Sequence, residues 1–131
     1  MKNDFVHLHL HSQYSLLDGA IKFDELFDEV ARQGMSAVAL TDHGNLFGAY
    51  DFYKLGKKNN IKPIIGCEVY ITKDRTKKTP ENNKTHHLTV LCMNIKGYEN
   101  LCSLVSTGHL EGFYRKPRID RELLFEKSEG L

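Results

Sequence analysis

Cysteine is scarce in this sequence, excess charge is nearly absent, and no long apolar run occurs. The three cysteines, Cys67, Cys92 and Cys102, are odd in number and widely spaced, and no Cys-x-x-Cys is present. That argues against a disulfide framework and a zinc ribbon, and it fits a reducing, cytoplasmic setting. Lysine and arginine total 18 against 17 acids. Net charge therefore gives no global argument for nucleic-acid binding, and any such contact has to be local. The N-terminal stretch MKNDFVHLHLH has no uninterrupted apolar segment, which speaks against a signal peptide and a membrane span. What remains is the profile of a globular domain: 131 residues, 40% hydrophobic and 27% charged, enough for one core but hardly for two.

Histidine, by contrast, is concentrated. His7, His9 and His11 alternate with Val6, Leu8 and Leu10. Residues 5–10 thus read as a strand with one apolar and one histidine face. Next, Phe23, Leu26, Phe27, Val30 and Ala31 fall at helical spacing, with Asp24 able to cap and Gly34 able to end the helix. Residues 36–41 read as a short buried strand. A second helix is expected from about Leu46, with Leu46, Ala49, Tyr50 and Tyr53 on one stripe. KPIIGCEVYI reads as a third strand and HLTVLCM as a fourth, separated by a polar, turn-rich loop over 73–85. GYENLCSLVSTG reads as a third helix with Leu101, Leu104 and Val105 inward. IDRELLFEKSEG reads as a short fourth helix capped by Asp120. Strands alternating with helices predict an α/β fold with a parallel sheet, flat or rolled into a barrel.

In such folds the chemistry gathers at the C-terminal ends of strands. His9 and His11 end the first strand, and Thr41, Asp42 and His43 follow the second. Glu68 lies in the third, and His86 and His87 open the fourth. His87 fits this rule least well. Side chains at i and i+2 of a strand point the same way, roughly 6.5–7 Å apart at the backbone, so two imidazoles can serve one metal or two adjacent ones. Imidazole with carboxylate is a ligand set for zinc, manganese or iron. Several of each suit a multinuclear site that clamps a phosphate and activates a water. His-x-His alone is a weak signal; joined by Asp-His and a strand glutamate it becomes a strong one. His7, deeper on the same face, reads as a hydrogen-bonding support for a ligand. His86 and His87 point to opposite faces, and His109 reads as surface or packing. Cys67, next to Glu68, is expected to face the helices as a small buried side chain.

HLHSQYSLLDGA, ALTDHGNLFGAYDFYK, IKPIIGCEVYI and HHLTVL together resemble the PHP (polymerase and histidinol phosphatase) domain. SLLDGA, GNLFGA, KPIIGCE and EGFYRKPRIDRELL resemble its polymerase branch, found at the N-terminus of bacterial DNA polymerase III alpha subunits. The resemblance runs from Phe5 to Leu131. It implies a PHP-type (β/α)7 barrel of which this chain covers about the first half, so that residues 1–131 are the N-terminal part of a PHP domain within a much longer polymerase. It implies metal ligation by His9, His11, Asp18, His43, Glu68 and His87, with Glu68 bridging and Asp42 supporting. Some polymerase subunits have lost these residues; this sequence resembles the metal-competent form. Further family ligands would follow Leu131. An open strand edge in a half barrel is an aggregation hazard.

Basic residues are the remaining feature. Lys73, Arg75, Lys77, Lys78 and Lys84 crowd the 73–85 loop, and Arg115, Lys116, Arg118 and Arg121 follow. The first reading is a solvated loop; the second, for Lys77, Lys78 and Arg118, is contact with a phosphate or a DNA backbone. Tyr114 and Pro117 read as a rest for a neighbouring domain. Gly44 and Gly48 flank a helix start that can hold a phosphate oxygen or simply turn the chain.

Three functions compete. The first is a replicative DNA polymerase subunit whose nucleotidyl transfer lies elsewhere in the chain. Here this domain is a divalent-metal module with 3′-5′ exonuclease or phosphoesterase chemistry, nearly inactive as the present fragment, and its partners are DNA, other replisome subunits and the remaining polymerase domains. The second is a stand-alone phosphoesterase of the histidinol-phosphatase type. The third is a metal-stabilised scaffold without catalysis.

Overall fold

A computed structural model of the chain describes residues 4–131. Helix α1 (Phe23–Arg32) buries Phe23, Leu26, Phe27 and Val30 on one stripe, as the spacing requires. Asp24 does not cap it. Lys22 holds the N-cap position without a side-chain bond, and Asp24 and Glu25 lie inside the first turn, where their charge favours the positive helix end. Gly34, at φ 72°, turns the chain out of the helix.

Strand β1 (Ala37–Leu40) is buried throughout. The 7–10 segment runs beside it: Ala39 N donates to His7 O at 2.8 Å and Thr41 N to Leu10 O at 2.9 Å. It does not form the regular strand expected there. At Leu10 the ladder is interrupted, because the Thr41 hydroxyl accepts from Leu10 N at 2.8 Å in place of a backbone partner. Its apolar face is also only partly covered, with Leu10 buried and Leu8 exposed.

Helix α2 (Ala49–Lys58) begins three residues later than expected. The Asn45 side chain folds the chain before it, donating to His43 O and Tyr14 O and accepting from Phe47 N. The buried stripe is Ala49, Phe52 and Gly56, whereas Tyr50 and Tyr53 are exposed. Phe52 packs on Phe23 and Phe27 and so anchors the first core cluster beneath α1, α2 and β1.

Strand β2 (Lys62–Ile71) organises the sheet. Its first half pairs in parallel with β1. Its second half pairs with β3 (His86–Leu91), and this pair is antiparallel, not parallel as the alternation predicted. The connection contains only a short 3-10 turn, Pro80–Asn82. Two last residues of β2 take a further short strand, β4 (Arg118–Ile119), in parallel. Helix α3 (Ile95–Leu110), capped by Asn94, and α4 (Arg121–Glu126), capped by Asp120, close the second core cluster with Cys67, Val69, Val90, Leu101, Leu104, Ile119 and Leu123. Burial drives the Cys67 thiol up to about 12. Among the described residues no helix is long and apolar enough to cross a membrane.

Candidate metal centre

Glu68 stands on β2 with its side chain almost fully enclosed, 3% exposed. It faces imidazoles from three other parts of the chain. Oε2 contacts His9 Nε2 and lies 3.2 Å from His11 Nε2. Oε1 contacts His87 Nδ1 and lies 3.2 Å from His43 Nδ1. The donor atoms therefore fall into two groups, His9–His11–Glu68 and His43–Glu68–His87, each within 4.8 Å, and Glu68 belongs to both. Asp18 reaches the second group, with Oδ2 3.0 Å from His43 Nε2.

The local structure explains the convergence. Glu68 N donates to Asp42 O, and Gly44 N donates to Glu68 O, both at 3.0 Å, so the loop after β1 is sewn to β2 beside the glutamate. His109 is tied to the same loop, its Nε2 2.9 Å from Gly44 O. Asp42 is buried and bonds no histidine side chain. Its carboxylate accepts from Ser12 N (2.6 Å), Ser12 Oγ (2.7 Å) and Ser15 Oγ (2.7 Å), and Ser15 Oγ accepts from His43 N (3.2 Å). Asp42 thus fastens the histidine loop to the segment carrying Asp18. Gly19 closes that segment against the backbone: a Cβ there would lie 1.9 Å from Ser12 O. Ser12 and Ser15 had no role in the sequence reading, although both lie inside its HLHSQYSLLDGA motif. A buried carboxylate beside hydroxyl residues is the only signal that could have marked them.

The electrostatics centre on the Glu68 anion. Burial alone raises the Glu68 carboxyl, but the His9 hydrogen bond and the fields of His43, His87 and His11 outweigh it and leave it below its ordinary value. His11 is lowered by burial and by His43, against the pull of Glu68. The His11 and His43 rings stack with centroids 4.0 Å apart. Three buried polar atoms, His11 Nδ1, His43 Nδ1 and Glu68 Oε1, have no aligned hydrogen-bond partner. Buried polar groups are normally satisfied. His43 Nδ1 and Glu68 Oε1 lie 3.2 Å apart without an aligned bond, which fits a cation between them, so the donor set suits a divalent metal ion.

The other sequence candidates fall elsewhere. His7 is exposed, and its ring meets the Phe5 ring edge-on at 4.8 Å. Lys77 pairs with Asp74 at 3.5 Å, and Lys78 is exposed. Their loop faces α4 across a cleft of about 890 Å³ that no histidine lines. Arg118 is fully buried and cannot meet a phosphate. Its guanidinium donates to the carbonyls of Gly112 (2.9 Å), Asn82 (2.8 Å), Arg75 (3.1 Å) and Lys77 (3.2 Å). It is an internal strut that folds the 73–85 loop onto β4.

The chain is 54% identical to DNA polymerase III subunit alpha of Aquifex aeolicus over its whole length. It is 51% identical to the same subunit of Borreliella burgdorferi over 99% of its length. It spans 12% of the length of each of these relatives. Among solved structures, an amidohydrolase from Chromobacterium violaceum superposes on 78% of the chain and 32% of its own, with TM-score 0.58 and 24% identity. A protein assigned as a metal-dependent phosphoesterase from Bifidobacterium adolescentis covers 79% of the chain and 32% of its own, with TM-score 0.53 and 18% identity. Both show the same kind of fold, and the α/β arrangement here is part of such a barrel. The PHP domain model matches residues 7–131, and with that match over nearly the whole chain the protein belongs to the PHP domain family.

Proposed function

We propose that this chain is the N-terminal part of the PHP domain of a bacterial DNA polymerase III alpha subunit, and that its site performs metal-dependent hydrolysis of a phosphate ester, with the 3′ end of DNA as the favoured substrate. The observation that carries this reading is Glu68, whose two oxygens each face two imidazoles while its Oε1 and the neighbouring His43 Nδ1 have no aligned hydrogen-bond partner. Divalent ions, zinc, manganese or iron, would supply neutralisation of phosphoryl charge and a lowered water pKa. His9, His11 and Glu68 would hold one ion, and His43, Glu68 and His87 another, with Asp18 at its side.

The residues themselves divide the work. Glu68 stays ionised and offers one oxygen to each group. His11 Nε2 and His43 Nδ1 each lie 3.2 Å from a Glu68 oxygen, and burial holds His11 below its ordinary value. Asp42, through Ser12 and Ser15, fixes the spacing between the two loops. Nucleotide addition needs its own carboxylates against a primer end, so it is assigned to other parts of the polymerase. The setting is the cytoplasm, with DNA and replisome subunits as partners. The identity of 54% to a polymerase subunit favours this over a stand-alone small phosphatase. A scaffold role is the second reading. It is favoured by Leu16, Leu17, Phe47 and Tyr50, which stand exposed near the site loops.

The test is elemental analysis of the full-length protein, followed by assays for nucleotide release from DNA and for hydrolysis of a simple phosphodiester with and without chelator. Bound metal with chelator-sensitive hydrolysis supports the proposal. Bound metal without hydrolysis of any phosphate ester supports the scaffold, and absence of metal defeats both.

A further inference from the structure

The ring of Tyr70 forms one wall of the centre. It lies nearly parallel to His43, at 6.1 Å and 9°, and edge-on to His87 at 4.9 Å. On this ring rests the ammonium of Lys116, 4.6 Å from the centroid. Lys116 comes from the connection between α3 and β4, far from the ligands in sequence. Several contacts bring it here. Tyr114 N donates to Lys116 O at 3.1 Å, closing a tight turn in which Arg115 adopts φ 64°, a conformation few side-chain-bearing residues take. Pro117 then sits directly on the loop after His43: a Cβ on Gly44 would lie 2.7 Å from Pro117 Cγ and 3.3 Å from Tyr70 Cε2. The turn is thus clamped between the histidine loop and the Tyr70 wall.

Lys116 is exposed, and among the described residues it has no ion-pair partner. Arg75 is committed to Asp120 and Glu111, Lys77 to Asp74, and Arg118 to four carbonyls, while Arg115 lies over the Tyr114 ring and not over Tyr70. A cation held over an aromatic face keeps its charge and gains direction without being neutralised. Beside a centre that suits phosphate esters, such a group matches an anionic oxygen of the substrate.

We propose that Lys116 is a substrate-binding residue, which takes a non-bridging phosphate oxygen of a phosphate-ester substrate at the Tyr70 side of the centre. This rests on the phosphoesterase reading for the choice of ligand but not for its test. The probe is deoxyadenosine monophosphate, titrated calorimetrically into the full-length protein with and without Mn²⁺. Metal content of each sample is measured in parallel. Lys116→Met should leave metal content unchanged and weaken binding roughly five- to tenfold, the size of one partly exposed charge-assisted contact. Lys116→Arg should restore most of the affinity. If the protein takes up no metal yet Lys116→Met still weakens binding, the metal reading fails and this inference stands. If metal is bound and Lys116→Met binds like the parent, the inference is overturned and the metal reading stands. Failure of the parent protein to bind the nucleotide in either state also overturns it.

Discussion

Replacing Arg118 by methionine tests the reassignment of a basic residue from surface to strut. Arg118 is fully buried and donates four hydrogen bonds to backbone carbonyls. A hydrogen bond involving a charged group contributes about 1.5–3 kcal/mol when broken alone, so four sum to about 6–12 kcal/mol. Methionine also removes the cost of keeping a guanidinium out of water, several kcal/mol. Some of the carbonyls, in an otherwise polar loop, regain water. The net loss expected is about 3–5 kcal/mol, a drop in melting temperature of roughly 10–20 °C for a domain of this size. Arg118→Lys keeps the charge but not the planar fork that reaches four carbonyls, and it should lose roughly half as much. The assay is urea or thermal unfolding of parent and variants, with DNA binding measured across salt concentrations. A phosphate-contacting arginine behaves in the opposite way: its loss hardly moves stability, lowers affinity, and flattens the salt slope by about one. Unfolding within about 1 kcal/mol of the parent, together with a flatter salt slope, would refute the strut.

Three further outcomes are expected. Glu68→Gln keeps size but removes the anion shared by both donor groups, so metal content should fall at least roughly tenfold and the melting temperature should lose its sensitivity to EDTA; a variant that retains the full metal complement would count against bridging. Ser15→Ala removes a donor to Asp42 and an acceptor for His43 N, and should cost about 1–2 kcal/mol in denaturant unfolding, with no change ruling out a positioning role. The Cys67 thiol, pushed up to about 12 by burial, should resist alkylation at pH 8 until the protein unfolds, and peptide mapping that finds it labelled in the native state would contradict its placement. Because the folded state holds that proton more tightly, its contribution to stability is complete below about pH 9 and declines as pH rises towards 12.

Much of the centre could be read from the chain because its residues follow strand geometry. Alternation placed His9 and His11 together, and a strand glutamate and an Asp-His pair at a strand end pointed the same way. Asp18 had no such signal and entered only through family resemblance, since it sits in a loop whose course is set by Gly19 and the serine–Asp42 network. Arg118 was misread for a general reason. It lies in a run rich in lysine and arginine, and composition cannot tell a solvated arginine from one that satisfies buried carbonyls. Tyr50 and Tyr53 were misread because a helical stripe can be drawn through several residues, and packing selected Phe52, which meets Phe23 and Phe27. Lys116 reaches the Tyr70 ring through a tight turn just before β4, a two-residue strand too short to leave a periodic pattern.

The antiparallel pairing of β2 and β3 accounts for the one histidine, His87, that sat badly with the parallel scheme. A histidine at the start of a parallel strand lies at the end away from the chemistry. A parallel return, however, needs a crossover long enough to span the sheet, usually a helix. Residues 72–85 supply only polar loop and one short turn, held down by Thr72, Asn82 and Arg118. The chain therefore doubles back, and the register sets His87 opposite Tyr70 and His86 opposite Ile71. The beginning of β3 then lies at the same rim as the end of β2, and His87 Nδ1 reaches Glu68. The loop without a helix is thus what delivers the fourth imidazole.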